Sequence, residues 1–156
     1  MLFNNMTAHV FRHRAAVGDN GRVTRTVVDA MLRSPRTCAV TTTVAQVREV
    51  FADDHIHAVL VVDESRLVAV VERADLDAAA PGSLARDAGR LAGRVIGPDL
   101  DVEEVRVAML AARHRRVAVV DDGGELLGLL CLKRSGTGFC SDADVAARAA
   151  DRASCL

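Results

Sequence analysis

Ala58-Val59-Leu60-Val61-Val62-Asp63, then the polar turn Glu64-Ser65-Arg66, then Leu67-Val68-Ala69-Val70-Val71, is the stretch that decides the fold. The same order returns at Val117-Ala118-Val119-Val120-Asp121, the turn Asp122-Gly123-Gly124-Glu125, and Leu126-Leu127-Gly128-Leu129-Leu130. None of these apolar runs alternates with polar residues. Each therefore predicts a strand buried on both faces, in a sheet that is partly parallel. The second turn is one residue longer, and glycine there can supply a positive φ.

Working outward, a helix is predicted before each strand pair. Thr43 and Asp101 suit the N-cap, and three residues later come Gln46 and Glu104, the spacing of a capping box. Val44, Val47, Val50 and Phe51 form one apolar stripe at helical spacing, and Val102, Val105, Ala108, Met109 and Ala112 repeat it. Polar bends follow at Asp53-Asp54-His55 and Arg113-His114-Arg115. After the first strand pair a helix is expected over 73–80, stopped by Pro81-Gly82. Short helical segments at 26–32 and 83–91, and short strands at 37–40 and 94–96, lead into the two units. The division expected is an arm at 1–22, one repeat at 23–81, a second at 82–139, and a C-terminal helix within 140–156. One unit is too small to cover both faces of its sheet. Two can pack sheet to sheet about a pseudo-twofold axis, which creates two equivalent clefts between them.

Composition supports this reading and excludes others. Half of the 156 residues are hydrophobic but only 3% are aromatic, so the core is built from aliphatic side chains suited to helix-on-sheet layers. The net charge is −1, with 20 basic and 21 acidic residues, so no global field draws the chain to nucleic acid or an anionic membrane. No apolar run approaches the ~18 residues of a membrane span. Asn4, Asn5, His9, Arg12, His13 and Arg14 interrupt any signal-type segment, and a cytoplasmic chain is expected. Cys38, Cys131, Cys140 and Cys155 contain no Cys-x-x-Cys pair and read as free thiols. His55 and His57 lack partners at metal-binding spacing, and nothing suggests an enzyme: there is no spaced nucleophile and base, and no carboxylate pair.

The doubled order resembles the cystathionine-beta-synthase (CBS) domain family over about residues 23–139. The resemblance implies an α/β (α+β) fold of two tandem βαββα repeats, paired as a pseudo-twofold Bateman module of the stand-alone type. It implies a homodimer, and a non-catalytic regulatory module that needs no cofactor. The implied ligand is an adenosine-type nucleotide, AMP, ADP or ATP, bound between the repeats, and the implied output is control of a separate partner protein. The alternative is a ligand-free dimeric scaffold with degenerate nucleotide sites.

The family's last strand ends in Gly-h-h-Thr-x-x-Asp, where the Asp accepts hydrogen bonds from the ribose and the Thr donates to ribose or phosphate. In repeat 1 the segment 69–75 keeps Asp75 but places Glu72 at the Thr position, with Arg73 beside it. Asp75 also reads simply as a helix N-terminal acid. In repeat 2 the segment 128–134 keeps Gly128 but carries Cys131 and Arg134 at the Thr and Asp positions. Lys133-Arg134-Ser135-Gly136-Thr137-Gly138 is either an anion-binding nest or a solvated loop. Val40, His57, Ala58 and Val59 on one side, and Arg115 and Arg116 on the other, complete the candidate ligand-binding set. One strong nucleotide cleft is expected at Asp75, the other being degenerate or suited to a different anion.

Overall fold

A computed structural model of the chain describes residues 25–144. The arm expected at 1–22 with His9 and His13, Cys155, and the part of the expected C-terminal helix beyond residue 144 lie outside the described residues. In order the elements are α1 (Val27–Ala30), β1 (Thr37–Ala39), α2 (Val44–Val50), β2 (Ala58–Asp63), β3 (Arg66–Glu72), a 3-10 turn (Arg73–Leu76), α3 (Ala85–Ala88), β4 (Val95–Ile96), α4 (Val102–Ala112), β5 (Arg116–Val120) and β6 (Leu126–Cys131).

The strands form two three-stranded sheets, β1-β2-β3 and β4-β5-β6. In each, the first pair is parallel and the second antiparallel. Each hairpin carries an irregularity at the same point, between Val61 and Val62 and between Val119 and Val120. The duplication seen in the sequence therefore extends to the register of the strands.

The helix starts follow the capping chemistry. Thr43 N–H donates to Gln46 Oε1 (2.9 Å), and Gln46 N–H donates to Thr43 Oγ1 (3.3 Å). Asp101 accepts from the N–H groups of Glu103 (2.8 Å) and Glu104 (3.0 Å). These bonds satisfy donors that have no partner inside the helix. Ser141 and Asp144 make the same reciprocal pair, at 3.1 and 3.0 Å.

One element departs from expectation. In place of a helix over 73–80 the chain makes only the 3-10 turn Arg73–Leu76. Arg48, from α2, donates to the carbonyls of Leu76 (2.7 Å) and Ala79 (2.8 Å). The Leu76 carbonyl also accepts from Ala79 N–H at 3.2 Å, and the guanidinium covers carbonyls at the end of the segment that lack helical partners.

The core has three parts. Val44, Val47, Phe51, Val59, Val61, Ala69, Val71 and Leu76 pack between α2 and the first sheet, joined by Ala85 of α3. Val105, Ala108, Met109, Val117, Val119 and Leu130 pack between α4 and the second sheet, joined by Val27 and Ala30 of α1. Leu60, Leu67, Val70, Ala118 and Leu129 meet between the sheets. The leading helices are thus exchanged: α1 completes the core around α4, and α3 completes the core around α2. Backbone pairing locks the exchange. Leu32 and Leu129 bond each other in both directions, at 2.7 and 2.9 Å, and Val70 and Arg90 do the same, at 3.0 and 3.1 Å. Glycine permits the close approach. A Cβ on Gly89 would lie 2.6 Å from the Val70 carbonyl oxygen, and one on Gly128 would lie 2.7 Å from Met31 Sδ.

Candidate functional site

Each cleft is built from the end of one repeat's last strand and the lead-in strands of the other repeat. In the first cleft β3 delivers Glu72, and the turn after it delivers Asp75, whose Oδ2 accepts from Glu72 N–H at 2.7 Å. Opposite stands Arg94, immediately before β4 and only 4% exposed. Its Nη1 reaches Asp75 Oδ2 at 2.6 Å and the Val70 carbonyl at 2.8 Å, and its Nη2 reaches Asp75 Oδ1 at 3.0 Å. Glu72 Oε2 lies 3.3 Å from the same guanidinium, and Glu72 Oε1 lies 3.7 Å from His114 Nε2.

The electrostatics follow from this packing. Burial opposes ionisation of Asp75, but the Arg94 hydrogen bonds, the Glu72 N–H and the charges of Arg94 and Arg90 together hold its carboxyl below the usual carboxylate range. Burial pushes the His114 imidazole below its ordinary value. Glu72 opposes this shift and Arg94 adds to it. A ribose that used Asp75 would have to displace Arg94 from both carboxylate oxygens.

The second cleft is the pseudo-twofold counterpart, and its charges differ. It has a volume of about 460 Å³ and is lined on one side by the segment around Arg36, His57 and Ala58, and on the other by Cys131, Lys133 and Arg134. Arg115, Arg116 and His55 complete its basic lining, and no Asp or Glu is among the lining residues. No ion pair joins any of its five Arg and Lys side chains to a carboxylate among the described residues. Arg115 Nη2 donates to the Leu132 carbonyl at 3.2 Å, while its buried Nε has no hydrogen-bond partner among the described residues. Burial lowers the Arg116 guanidinium from its ordinary value, as does the neighbouring Arg115. His57 is likewise lowered, first by burial and then by the charges of Arg116, Arg73 and Arg115. The Cys131 thiol is raised by burial and by Cys140 beside it, with Arg116 opposing.

Of the residues singled out in the sequence, Glu72 and Asp75 meet in the first cleft, and His57, Ala58, Arg115, Arg116, Cys131 and Arg134 meet in the second. Three others have different surroundings. The pleat of β2 sends Val59 into the helix-facing core, while Ala58 faces the sheet interface. Val40 packs against that same helix-facing core. Arg73 donates to the carbonyls of Asp53 (2.9 Å) and Ile56 (2.7 Å), and its guanidinium lies 5.0 Å from the centre of the Phe51 ring. Arg36, Lys133, Arg94 and His114 were not in the candidate set. Arg36 and Arg94 hold equivalent positions just before β1 and β4, so aligning the lead-in strands would have found them as a pair.

Among the described residues, no group of three or more His, Cys, Asp and Glu could hold a metal ion. No helix among them is long and apolar enough to cross a membrane.

Comparison with known proteins matches this architecture. No curated protein sequence matches the chain. Among solved structures, AcuB from Vibrio cholerae superposes with a TM-score of 0.63 at 21% identity, covering 85% of this chain and 95% of that one. The CBS domain protein PAE2072 from Pyrobaculum aerophilum, complexed with AMP, gives 0.58 at 20% identity, over 71% and 94% of the two chains. The cytosolic domain of the Mg2+ channel MgtE, in complex with ATP, gives 0.55 at 24% identity over 66% of this chain, which spans 44% of that one. At these identities the likeness is one of fold. The sequence pattern of the CBS domain matches residues 27–82 and 94–134, and with those two matches the chain belongs to the CBS-domain family.

Proposed function

We propose that this chain is a non-catalytic regulatory module that binds an adenosine-type nucleotide, AMP, ADP or ATP, between its repeats and signals the bound state to a partner protein. The cleft we assign is the basic one. The observation that carries this is a cavity of about 460 Å³ into which Arg36, Arg115, Arg116, Lys133 and Arg134 converge without a carboxylate among its lining residues. A volume of this size suits a ligand of nucleotide dimensions. Guanidinium groups present forked donors that match phosphate oxygens. Because the cleft takes residues from both repeats, a ligand there would favour one relative placement of the two sheets, provided it binds that placement better. The setting we propose is a cytoplasmic homodimer.

The test is thermal stability against AMP, ADP and ATP. A ligand at about 100 times its dissociation constant should stabilise the fold by roughly 2.7 kcal/mol. The shift should shrink in Arg134→Ala, since Arg134 is exposed and lines the cleft. No shift with any nucleotide at millimolar concentration would overturn the proposal.

A second reading is favoured by the first cleft alone. With Asp75 held by Arg94, the module would act there as a ligand-free scaffold whose surface a partner reads. It predicts no thermal response to nucleotide and unchanged partner binding on adding one.

A further inference from the structure

The two clefts are built on one plan, and they differ at the position that decides what each can bind. In the first, Arg94 faces Asp75, with Glu72 as a second acid. In the second, the equivalent positions are Arg36, Arg134 and Cys131. Arginine replaces the acid that would pair with Arg36, and a thiol replaces the other. What is a nearly neutral cluster on one side becomes a cluster of five cations with two histidines, His55 and His57, on the other. The side chain that could accept hydrogen bonds from a ribose diol is lost in the same exchange.

Resting on the assignment of the basic cleft above, we infer that this cleft recognises a chain of two or more phosphates and makes no use of the ribose. One phosphate group carries about −1.5 to −2 charges near neutral pH, which leaves most of five cations uncompensated. A di- or triphosphate comes closer to balance and offers more oxygens to the guanidinium forks. The cations stand on three separate segments: before β1, at the start of β5 and after β6. An extended anion presents oxygens to more of these segments than a single phosphate does. At the two positions that replace Glu72 and Asp75, Cys131 offers only a weak acceptor and Arg134 none, so neither matches a carboxylate that takes both hydroxyls of a ribose.

Titration calorimetry on the full chain, at one fixed ionic strength, separates the chemistry of the ligand from its source. The probes are ATP, 2′,3′-dideoxy-ATP, inorganic tripolyphosphate, pyrophosphate, AMP and inorganic phosphate. Tripolyphosphate and dideoxy-ATP should bind within about tenfold of ATP, and AMP and phosphate at least 100-fold more weakly. Lys133→Ala and Arg134→Ala, both exposed and so expected to fold, should each weaken ATP and tripolyphosphate at least tenfold. Arg86→Ala, an exposed change remote from the cleft, should leave both unchanged. Tight AMP binding, or a large loss on removing the ribose hydroxyls, would overturn the inference and leave the cleft a nucleotide site. If no probe binds, the cleft assignment itself falls, and the inference with it.

Discussion

The guanidinium of Arg94 meets the carboxylate of Asp75 edge to edge, with Nη1 2.6 Å from Oδ2 and Nη2 3.0 Å from Oδ1. The two residues come from different repeats, so the pair ties one repeat to the other. Arg94 is 4% exposed and the Asp75 side chain 13%, which places the pair largely out of water. Breaking a buried pair from one side costs about 3–5 kcal/mol, because the remaining charge stays buried without its partner. Arg94→Ala should fall in that range, since it leaves both Asp75 and Glu72 behind. Arg94→Met with Asp75→Leu should cost much less than the sum of the single changes. Urea denaturation of the wild type, Arg94→Met, Asp75→Leu and the double variant measures the coupling, and additive losses would show that the pair contributes nothing as a pair.

The same contact sets an acid limit. The carboxyl of Asp75 is held below its ordinary value in the fold, with burial opposing and Arg94 prevailing. Its unfolded value is about 3.9. A depressed carboxylate contributes stability that is fully present above the unfolded pKa and is lost as pH falls through the folded one. The stability gap between the wild type and Asp75→Asn should therefore be constant from pH 7 to about pH 5. It should close progressively below about pH 4. Urea midpoints across that range check it, and a gap that widened in acid would contradict the sign.

Much of the fold was legible because its signals are local. The strands β2, β3, β5 and β6 follow from continuous apolar runs, and the starts of α2 and α4 follow from Thr43 and Asp101. What was not legible depends on residues distant in the chain. Nothing within 27–30 says that Val27 and Ala30 belong to the core around α4 rather than the one around α2. The apolar and alanine-rich pattern over 73–80 is compatible with a helix, but the chain leaves it after Leu76, where Arg48 of a distant element binds the carbonyls of Leu76 and Ala79. The clefts divide the same way. Arg115, Arg116, Cys131 and Arg134 could be picked out from the repeat pattern. Asp75 could be named, and Arg94 found by aligning the lead-in strands, but nothing local to either says that the two, 19 residues apart, are partners.

The exchange of leading segments makes Gly128 a sensitive position. Leu32 and Leu129 pair through both backbone bonds, which brings the chain at Met31 and Leu32 directly over Gly128. A methyl group there would lie 2.7 Å from Met31 Sδ and against the Leu32 carbonyl oxygen. The side chain can move but the backbone cannot without breaking the pair. Gly128→Ala should destabilise by roughly 1–3 kcal/mol, the usual cost of overpacking. Gly82→Ala, where nothing lies within 4 Å, should change stability far less. Thermal denaturation of the two variants gives the comparison.

The basic cleft can be probed without any ligand, through Cys131. Burial raises this thiol above its ordinary value, the neighbouring Cys140 raises it further, and the charge of Arg116 pulls the other way. The thiolate is the species that alkylates, so Cys131 should react slowly with iodoacetamide at pH 7.5 and faster as pH rises past 9. Arg116→Ala removes a charge that favours the thiolate, so labelling should slow further at any pH below the thiol's own pKa. An anion seated among the cations would act in the same direction, by neutralising that charge and by covering the thiol. Tripolyphosphate should therefore slow the labelling of Cys131, and slow it less in Arg134→Ala. Peptide-resolved mass spectrometry distinguishes Cys131 from Cys38, which does not line the basic cleft. Faster labelling in Arg116→Ala would mean that Arg116 shields the thiol by bulk rather than tuning it by charge.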